Sequence, residues 1–358
     1  MSSGSLYRNE SQPSKRASSV ATNDNRLQSM HRWIESLKDR FELEPATVAP
    51  ASNDASFRRY FRIAAGRGSC IVMDAPPPQE DCRPFVHAAR VLREAGVNVP
   101  EVLAEDIEQG FLLLSDFGST TYLSRLDPQS APALYRDASR ALVTMQKASV
   151  PGVFPDYSRE LLDRELMLYP QWYLGRHKGV ELTPEQLQVM RAGFDLILQN
   201  NLAQPAVFVH RDYHSRNLMV LDGEGNPGIL DFQDAVYGPV TYDLVSLFKD
   251  AYIRWDEQQV LDWVIRYWEM ARAAGLPVNG DFAQFYRDFE WMGLQRHLKV
   301  LGIFARLSHR DGKDNYLADL PLVLDHVLQV LQRYVDLAPL ARLVQDIEAR
   351  RPLPGYTF

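Results

Sequence analysis

The chain of 358 residues is long enough for two lobes around separate cores, and its content of 46% hydrophobic and 24% charged residues is ordinary for a globular protein. Its net charge of −7 argues against nucleic-acid binding, its two cysteines (Cys70 and Cys82) indicate neither a disulfide framework nor a metal cluster, and no apolar run approaches the roughly 18 residues that span a membrane. Because the N-terminus also lacks an apolar signal core, we predict a cytoplasmic protein with no nucleic-acid or membrane partner.

The first third of the chain predicts a tail, a helix and a group of strands. Residues 1–26 are polar and lack a periodic apolar face, which is typical of a disordered tail. The apolar spacing over Leu27–Phe41 predicts a helix. Two strand-like pieces follow, one on each side of the polar turn Ser52–Ser56. The patterns then predict, in chain order, strand Ser69–Met73, helix Arg83–Ala95, and strands Val99–Leu103 and Gly110–Leu114.

The remainder of the chain is predicted to be mostly helical, because apolar residues recur there at helical spacing. The predicted helices are Ala131–Lys147, Leu161–Leu174, Pro184–Leu202, Asp256–Ala274, Asp281–Leu307 and Pro321–Val335.

One stretch among these helices, Val207–Asp231, has a different character. It contains the pattern H-x-D-x-x-x-x-N, formed by His210, Asp212 and Asn217. Two short apolar runs follow, with the turn Asp222–Pro227 between them, and Asp231 ends the second run. Two antiparallel strands joined by a tight turn end close together, so we expect Asn217 and Asp231 to be neighbours.

This set of residues suits phosphoryl transfer. In that chemistry the protein mainly positions an acceptor hydroxyl and holds metal ions against the phosphates. Asp212 can supply a carboxylate beside the hydroxyl, and Asn217 and Asp231 can supply the hard oxygen ligands that Mg²⁺ prefers. The alternative is a hairpin with chance acids. Three fixed positions, a hairpin of suitable length and a second acid at its end argue against coincidence.

The stretch resembles the catalytic and metal loops of the protein-kinase-like superfamily, and especially its aminoglycoside phosphotransferase branch, since Phe232 and Gln233 follow the second acid in place of Phe-Gly. The resemblance implies a bilobal α+β fold. A small antiparallel β-sheet lobe with a helix (27–114) would bind the nucleotide, a hinge would lie at 115–118, and a larger, mainly helical lobe (119–358) would carry the catalytic loop.

The same resemblance places the phosphates of ATP beneath the first hairpin. Its turn lacks the glycine-rich motif of protein kinases, but small residues such as Ser56 still allow backbone N–H groups to approach phosphate. The strand Ser69–Met73 lacks the lysine that protein kinases carry there. We therefore take Arg58 and Arg59 as candidate phosphate ligands; the alternative is that they are solvated strand residues.

Ser115 and Phe117 would lie in the hinge, whose backbone groups bind adenine in the superfamily; an ordinary exposed loop is the alternative. Asp243 follows the catalytic stretch on a predicted helix, and the resemblance implies that it anchors the catalytic loop.

A narrower resemblance extends from about Leu27 to the C-terminus. Over this span the chain is similar to the bacterial kinases that phosphorylate the anomeric hydroxyl of N-acetylmuramate and N-acetylglucosamine in cell-wall recycling. The segments that carry it are SNDASFRRYFRI, IVMDAPP, HRDYHSRNLM, ILDFQDAVYGPVTYDLVSLFKDAY and LQRHLKVLGIFARL. The resemblance implies ATP and Mg²⁺ as cofactors and an amino sugar as the small-molecule substrate.

Within this interpretation Asp212 would accept a hydrogen bond or the proton from the sugar C1 hydroxyl, and His210 would orient the loop. His214 would steady the phosphoryl group, unless it is an ordinary loop histidine. The sugar would be held by polar and aromatic residues of the helical lobe. Candidate sugar ligands are Gln233, Asp234, Trp172, Tyr173, Arg296 and Lys299; an arginine suits the lactyl carboxylate of a muramic acid.

Two alternatives remain at this stage. The chain could be another small-molecule kinase of the same fold, acting on an aminoglycoside, choline or homoserine. It could also be a nucleotide-binding pseudokinase, which the missing strand lysine favours and the intact Asp212, Asn217 and Asp231 oppose.

Overall fold

A five-stranded antiparallel sheet forms the centre of the first of two structural units in the computed structural model, which describes residues 15–52 and 57–349. The N-terminal unit comprises the residues up to Arg83 together with Glu101–Asp116, and the C-terminal unit comprises Pro84–Pro100 and the chain from Phe117 onward. The predicted helix near residue 83 is observed as α2 (Arg83–Glu94). Almost all of α2 belongs to the C-terminal unit, whereas the sequence interpretation assigned it to the small lobe.

The sheet has the strand order β1-β2-β3-β5-β4. Its strands are β1 (Ala49–Ser52), β2 (Arg59–Ala65), β3 (Gly68–Asp74), β4 (Val102–Asp106) and β5 (Phe111–Ser115). The antiparallel sheet predicted for the small lobe is therefore confirmed, although β4 begins at Val102 rather than at Val99.

Helix α1 (Lys15–Phe41) packs against this sheet through its second half, from Leu27 onward. Met30 and Ile34 are completely buried and pack in one cluster with Ile63 and Val72 of the strands, which is the expected result of an apolar helix face. The helix begins at Lys15 and not at Leu27, and residues 15–26 contain no Gly or Pro that would interrupt it. Residues 1–14 of the predicted tail lie outside the described residues.

The C-terminal unit is mainly helical. Its remaining helices are α3 (Ala131–Lys147), α4 (Arg159–Leu166), α5 (Pro184–Leu202), α6 (Tyr242–Phe248), α7 (Glu257–Ala273), α8 (Phe282–Asp311), α9 (Leu320–Arg333) and α10 (Ala338–Ala349). The limits of α3 and α5 agree with the prediction. Thr183 caps α5 in a capping box with Gln186, so this boundary is a local signal. Helix α10 was not predicted.

One predicted helix is wrong in its details. The segment expected as Leu161–Leu174 consists of α4, which ends at Leu166, followed by a π-helix over Tyr169–His177. Pro170 lies at the start of the π-helix, where it cannot donate the hydrogen bond that would continue an α-helix.

Helix α8 is the central helix of this unit. Gly302 allows it to approach the segment between α4 and the π-helix closely, because a Cβ atom at this position would lie 2.4 Å from the carbonyl carbon of Leu168. Among the described residues no helix has the length and the apolar character needed to cross a membrane.

Candidate active site

Two short antiparallel pairs fix the ends of the catalytic loop, His210–Asn217. Before the loop, β6 (Ala206–Val209) pairs with β9 (Val236–Pro239). After the loop, β7 (Leu218–Met219) pairs with β8 (Gly228–Ile229), which confirms the predicted hairpin.

Two buried aspartates hold the loop backbone. Asp243 on α6 accepts hydrogen bonds from the backbone amides of His210 (2.6 Å) and Arg211 (2.9 Å), which agrees with the anchoring role that the resemblance implied. Burial raises the pKa of Asp243 to about 7, although these two amides favour its charged form. Asp250 accepts from the amide of Ser215 (3.0 Å) and from its hydroxyl. The sequence analysis missed Asp250; an acid directly after an apolar helix was the available signal.

The backbone is strained at two site residues. Arg211 and Asp231 have φ angles of 77° and 65°, in the left-handed region that favours glycine. Such strain costs on the order of 1–3 kcal/mol and persists only where the surroundings enforce it. At Arg211 the enforcing partner is Asp243, which is completely buried.

The strand pairs bring the three predicted phosphoryl-transfer residues together. The Asn217 side-chain amide donates to the backbone carbonyl of Asp212 (3.0 Å) and to Asp231 Oδ2 (3.4 Å). The amide of Leu230 donates to the Asn217 carbonyl (2.9 Å), and Gln233 Nε2 donates to Asp231 Oδ1 (2.8 Å). Gln233 therefore lies beside the metal loop, as predicted.

Asp212 is partly accessible, with 41% of its side chain exposed. Burial of its other atoms favours the protonated form, but the positive charges of Lys299 and Arg296 outweigh this effect and lower the pKa of Asp212 to about 2. Asp212 is thus a carboxylate at neutral pH. With this pKa it is a weak base, so its main capacity is to orient an acceptor hydroxyl by accepting a hydrogen bond.

A network of buried charges lies beneath the loop. We define the loop-side network as Glu165 with its partners Tyr157, Arg211 and Lys299, together with Tyr242, which binds Lys299. Lys299 Nζ lies 3.0 Å from both Glu165 Oε1 and the hydroxyl of Tyr242, and Arg211 and Tyr157 also bind Glu165. The sequence analysis assigned no role to Glu165, whose importance depends on partners distant in sequence.

Arg296 and Lys299, both on α8, were predicted to bind the sugar. They are 4% and 6% exposed. Arg296 donates to the Arg211 carbonyl (2.9 Å) and lies 3.8 Å from Asp212 Oδ1. Arg296 contacts the loop itself, whereas Lys299 contacts the network beneath it, and a direct contact of either cation with a sugar stays a prediction.

The two loop histidines differ in their surroundings. His210 is completely buried, and burial lowers its pKa to about 4, so it is neutral. Its Nδ1 accepts from the Asp212 amide (3.2 Å), which supports an orienting role. His214 is half-buried, its ring lies edge-on to Tyr252 at 5.4 Å, and burial also lowers its pKa.

The other predicted residues of the C-terminal unit lie at its surface or in packing contacts. Asp234 has an exposed side chain, and its carbonyl accepts from Arg211 at 3.4 Å. Trp172 is half-buried in the π-helix. The Phe117 ring packs against Gly228 of β8, where a Cβ atom would lie 2.5 Å from it.

The predicted nucleotide residues of the N-terminal unit have protein partners. Arg59 Nε donates to Asp74 at 2.9 Å, and Arg58 lies 3.6 Å from Glu80. Ser115 Oγ accepts from the Glu101 amide at 2.9 Å. Ser56 lies outside the described residues.

The donor set fits a magnesium ion held together with phosphates. Across the described residues, no group of three or more His, Cys, Asp or Glu is arranged to hold a metal ion. Mg²⁺ bound to a nucleotide does not require one, because it takes one or two carboxylates and completes its shell with phosphate oxygens and water. The Asp231 carboxylate and the Asn217 amide oxygen, 14 residues apart in sequence and joined by a hydrogen bond, provide such a set.

These features define a phosphotransferase of the kinase-like fold. The model of the APH phosphotransferase enzyme family matches residues 47–276, and the chain belongs to this family. ATP is the phosphoryl donor that membership implies. Solved structures agree on the fold: a choline kinase from Cryptosporidium parvum superposes with a TM-score of 0.61 at 10% identity, covering 88% of this chain and 99% of that one. A choline/ethanolamine kinase family protein from Mesorhizobium loti gives 0.58 at 16% identity, covering 84% and 92%.

Relatives of much higher sequence identity share one more specific name. The chain is 50% identical to the N-acetylmuramate/N-acetylglucosamine kinase of Pseudomonas aeruginosa, over 91% of this chain and 98% of the relative. It is 49% identical to the enzyme of the same name from Neisseria meningitidis serogroup B, over 92% and 98%.

Proposed function

We propose that this protein transfers the γ-phosphoryl group of ATP to the anomeric hydroxyl of N-acetylmuramate and of N-acetylglucosamine. The observation that carries the proposal is the identity of 46–50% to three kinases of that name, each covered over 98% of its length. A cytoplasmic location, where ATP is available, and a place in cell-wall recycling belong to the same proposal.

In this proposal Asp212 holds the C1 hydroxyl in line with the phosphoryl group and accepts its hydrogen bond. An anomeric hydroxyl is more acidic than an ordinary alcohol, so it needs less help from a base. This matches a carboxylate whose pKa is held low by Arg296 and Lys299. His210 orients the loop through the Asp212 amide, and His214 remains a candidate for contact with the phosphoryl group.

Asn217 and Asp231 would hold Mg²⁺, which supplies positive charge against the phosphates when bound. Arg58, Arg59, Ser56, Ser115 and Phe117 remain the proposed nucleotide contacts. Asp234, Gln233 and Trp172 remain proposed sugar contacts.

The direct test is mass detection of a sugar phosphate after incubation with ATP, Mg²⁺ and either sugar. Loss of the phosphate in mild acid would place it at C1. Choline and an aminoglycoside serve as competing acceptors. Turnover of an amine acceptor without turnover of either amino sugar would overturn the proposed substrate, and the absence of any turnover would favour a pseudokinase.

The metal assignment has its own test. We expect Asp231→Asn and Asn217→Ala to raise the Mg²⁺ concentration needed for half-maximal turnover while the protein stays folded. Asp222→Asn is the matched control, because Asp222 is exposed at the turn of the same hairpin. Unaltered rates at limiting Mg²⁺ would remove the two residues as ligands.

A further inference from the structure

Four cationic side chains belong to the catalytic loop or lie beneath it: Arg211, Arg216, Arg296 and Lys299. Three of them are engaged by protein groups. Arg211 and Lys299 both pair with Glu165, and Arg296 binds a loop carbonyl and lies near Asp212. An anionic substrate group would have to displace these internal partners to bind any of the three.

Arg216 differs from the other three. Its guanidinium lies over the ring of Tyr252, 3.6 Å from the ring centroid, and 5.9 Å from that of Tyr316. Within residues 15–52 and 57–349 the structure gives Arg216 no hydrogen bond and no ion pair, although its side chain is half-buried. Stacking on an aromatic ring uses the face of the guanidinium and leaves its N–H donors in the plane available for a carboxylate.

The position of Arg216 relative to Asp212 suits a substrate contact. Four residues separate them, so their backbones lie within about 14 Å of each other even for a fully extended chain. The loop is turned and therefore shorter: the His214 amide donates to the Asp212 carbonyl (3.0 Å), and the Asn217 amide donates to the His214 carbonyl (2.9 Å). His214 and Arg216 both contact the Tyr252 ring.

One anion that interacts electrostatically with Arg216 is Asp319, which is half-buried. Burial raises the pKa of Asp319, while the charge of Arg216 opposes the rise. Asp319 is thus near enough to interact electrostatically, yet within the described residues it forms no ion pair with Arg216. The planar donors of Arg216 remain available for a ligand.

We infer that Arg216, held on the Tyr252 ring, is the subsite that binds the lactyl carboxylate of N-acetylmuramate. This inference rests on the proposed function. The two proposed sugars differ by the lactyl ether on O3, and only N-acetylmuramate carries the carboxylate. A guanidinium with open in-plane donors binds a carboxylate in a bidentate manner. Arg216 therefore sets the preference between the two sugars, while Asp212 acts on the hydroxyl that both share.

The test is the ratio of kcat/KM for N-acetylmuramate to kcat/KM for N-acetylglucosamine. Arg216→Met keeps an unbranched side chain about as long as the aliphatic stem of arginine and removes the charged guanidinium. We expect the ratio to fall about tenfold or more, the size of effect expected for a hydrogen bond to a charged group. Arg216→Lys should retain part of the preference, because it keeps a point charge without the planar fork.

The Tyr252 ring provides a second pair of variants. Tyr252→Phe keeps the ring, so we expect the ratio to stay near that of the unsubstituted enzyme. Tyr252→Leu removes the ring that holds the guanidinium and should lower the ratio. Arg191→Met is the control for loss of one arginine, because Arg191 is exposed on α5 and pairs with Asp163. Thermal unfolding of each variant checks that it is folded.

A modified substrate tests whether the negative charge of the lactyl group is the feature that Arg216 recognises. The methyl ester of N-acetylmuramate lacks the negative charge, so Arg216→Met should change its kcat/KM no more than that of N-acetylglucosamine. If the ratio is unchanged in Arg216→Met, or if the KM for ATP rises equally with both sugars, the inference is wrong while the proposed function stands. If the unsubstituted enzyme phosphorylates neither sugar, the proposed function fails first.

Discussion

Helix α8 takes part in two buried charge networks that have almost the same composition. The loop-side network is centred on Glu165. We define the distal network as Glu290 of α8 with its partners Lys249, Arg333 and Tyr334. Each network has one buried glutamate bound by a lysine, an arginine and a tyrosine.

The geometry of the two lysines differs. Lys299 lies 3.0 Å from Glu165 and 3.0 Å from the Tyr242 hydroxyl, and these groups outweigh burial and raise its pKa. Lys249 lies 3.7 Å from Glu290, and burial dominates there, so its pKa is lowered. The better-satisfied network is the one that contains Arg211, a strained residue of the catalytic loop. We therefore expect the two networks to contribute similarly to stability and only the loop-side network, through Arg211, to affect catalysis.

The largest expected effect comes from removing either lysine. We expect Lys299→Met and Lys249→Met each to lower the free energy of unfolding by about 3 kcal/mol, the lower end for breaking a buried pair, because each glutamate keeps an arginine. Only Lys299→Met should also lower kcat, by about tenfold or more, since small misplacements of catalytic groups are costly. Denaturant unfolding measures the loss of stability, and kcat per folded enzyme measures the loss of activity. Equal losses of kcat in the two variants would contradict the expected functional difference between the two networks.

Asp212→Asn tests the catalytic-loop carboxylate whose charged form Lys299 of the loop-side network stabilises. We expect kcat to fall at least about 10²-fold, because a positioned proton acceptor contributes about 10²–10⁴-fold. ATP binding should be largely kept, since the near-isosteric amide retains the shape. Single-turnover rates at saturating sugar are the measurement. A variant within a few-fold of the unsubstituted enzyme would reopen the roles of the whole loop.

Two buried histidines beside the distal network, His297 and His326, predict a pH dependence of stability. His297 Nε2 donates a hydrogen bond to the Lys249 carbonyl at 2.8 Å, and its ring stacks on the His326 ring with a centroid separation of 4.8 Å. Burial and the nearby Lys249 charge lower the pKa of His326 to about 4. The unfolded chain then binds protons more readily, so the folded state loses stability as pH falls from about 6.5 toward 4. His326→Met should remove on the order of 2 kcal/mol of the change between about pH 8 and pH 5.

Unfolding by denaturant at several pH values checks this expectation, with His31→Gln as the control because His31 is exposed on α1. If the free energy of unfolding depends on pH in His326→Met as it does in the unsubstituted protein, the acid sensitivity arises from other groups.

The smallest expected effect compares the two tyrosines. Tyr157 donates to Glu165, and Tyr334 donates to Glu290 at 2.7 Å. Replacing each by Phe removes one hydrogen bond and should cost about 1 kcal/mol of stability. We expect a few-fold loss of kcat only for Tyr157→Phe. Thermal unfolding and steady-state kinetics of the two variants would show whether the loss of a single hydrogen bond lowers kcat only in the loop-side network.

Much of the molecule could be predicted from sequence because its signals are local. The limits of α5 follow from a capping box within its first turn, and the hairpin between Asn217 and Asp231 follows from two apolar runs around a turn. The contact of these two residues spans only 14 positions, so the strand pairing alone brings them together.

Other features were decided by tertiary structure. Asp250 and Ser215 are 35 positions apart, Glu165 and Arg211 are 46 apart, and Arg296 and the Arg211 carbonyl are 85 apart. No periodicity or spacing links such residues, because their contacts arise only when α4, α6 and α8 pack around the loop. The sequence by itself determined which residues can carry the chemistry. The packing of distant helices decided which cations are buried as supports and which one, Arg216, keeps its donors available.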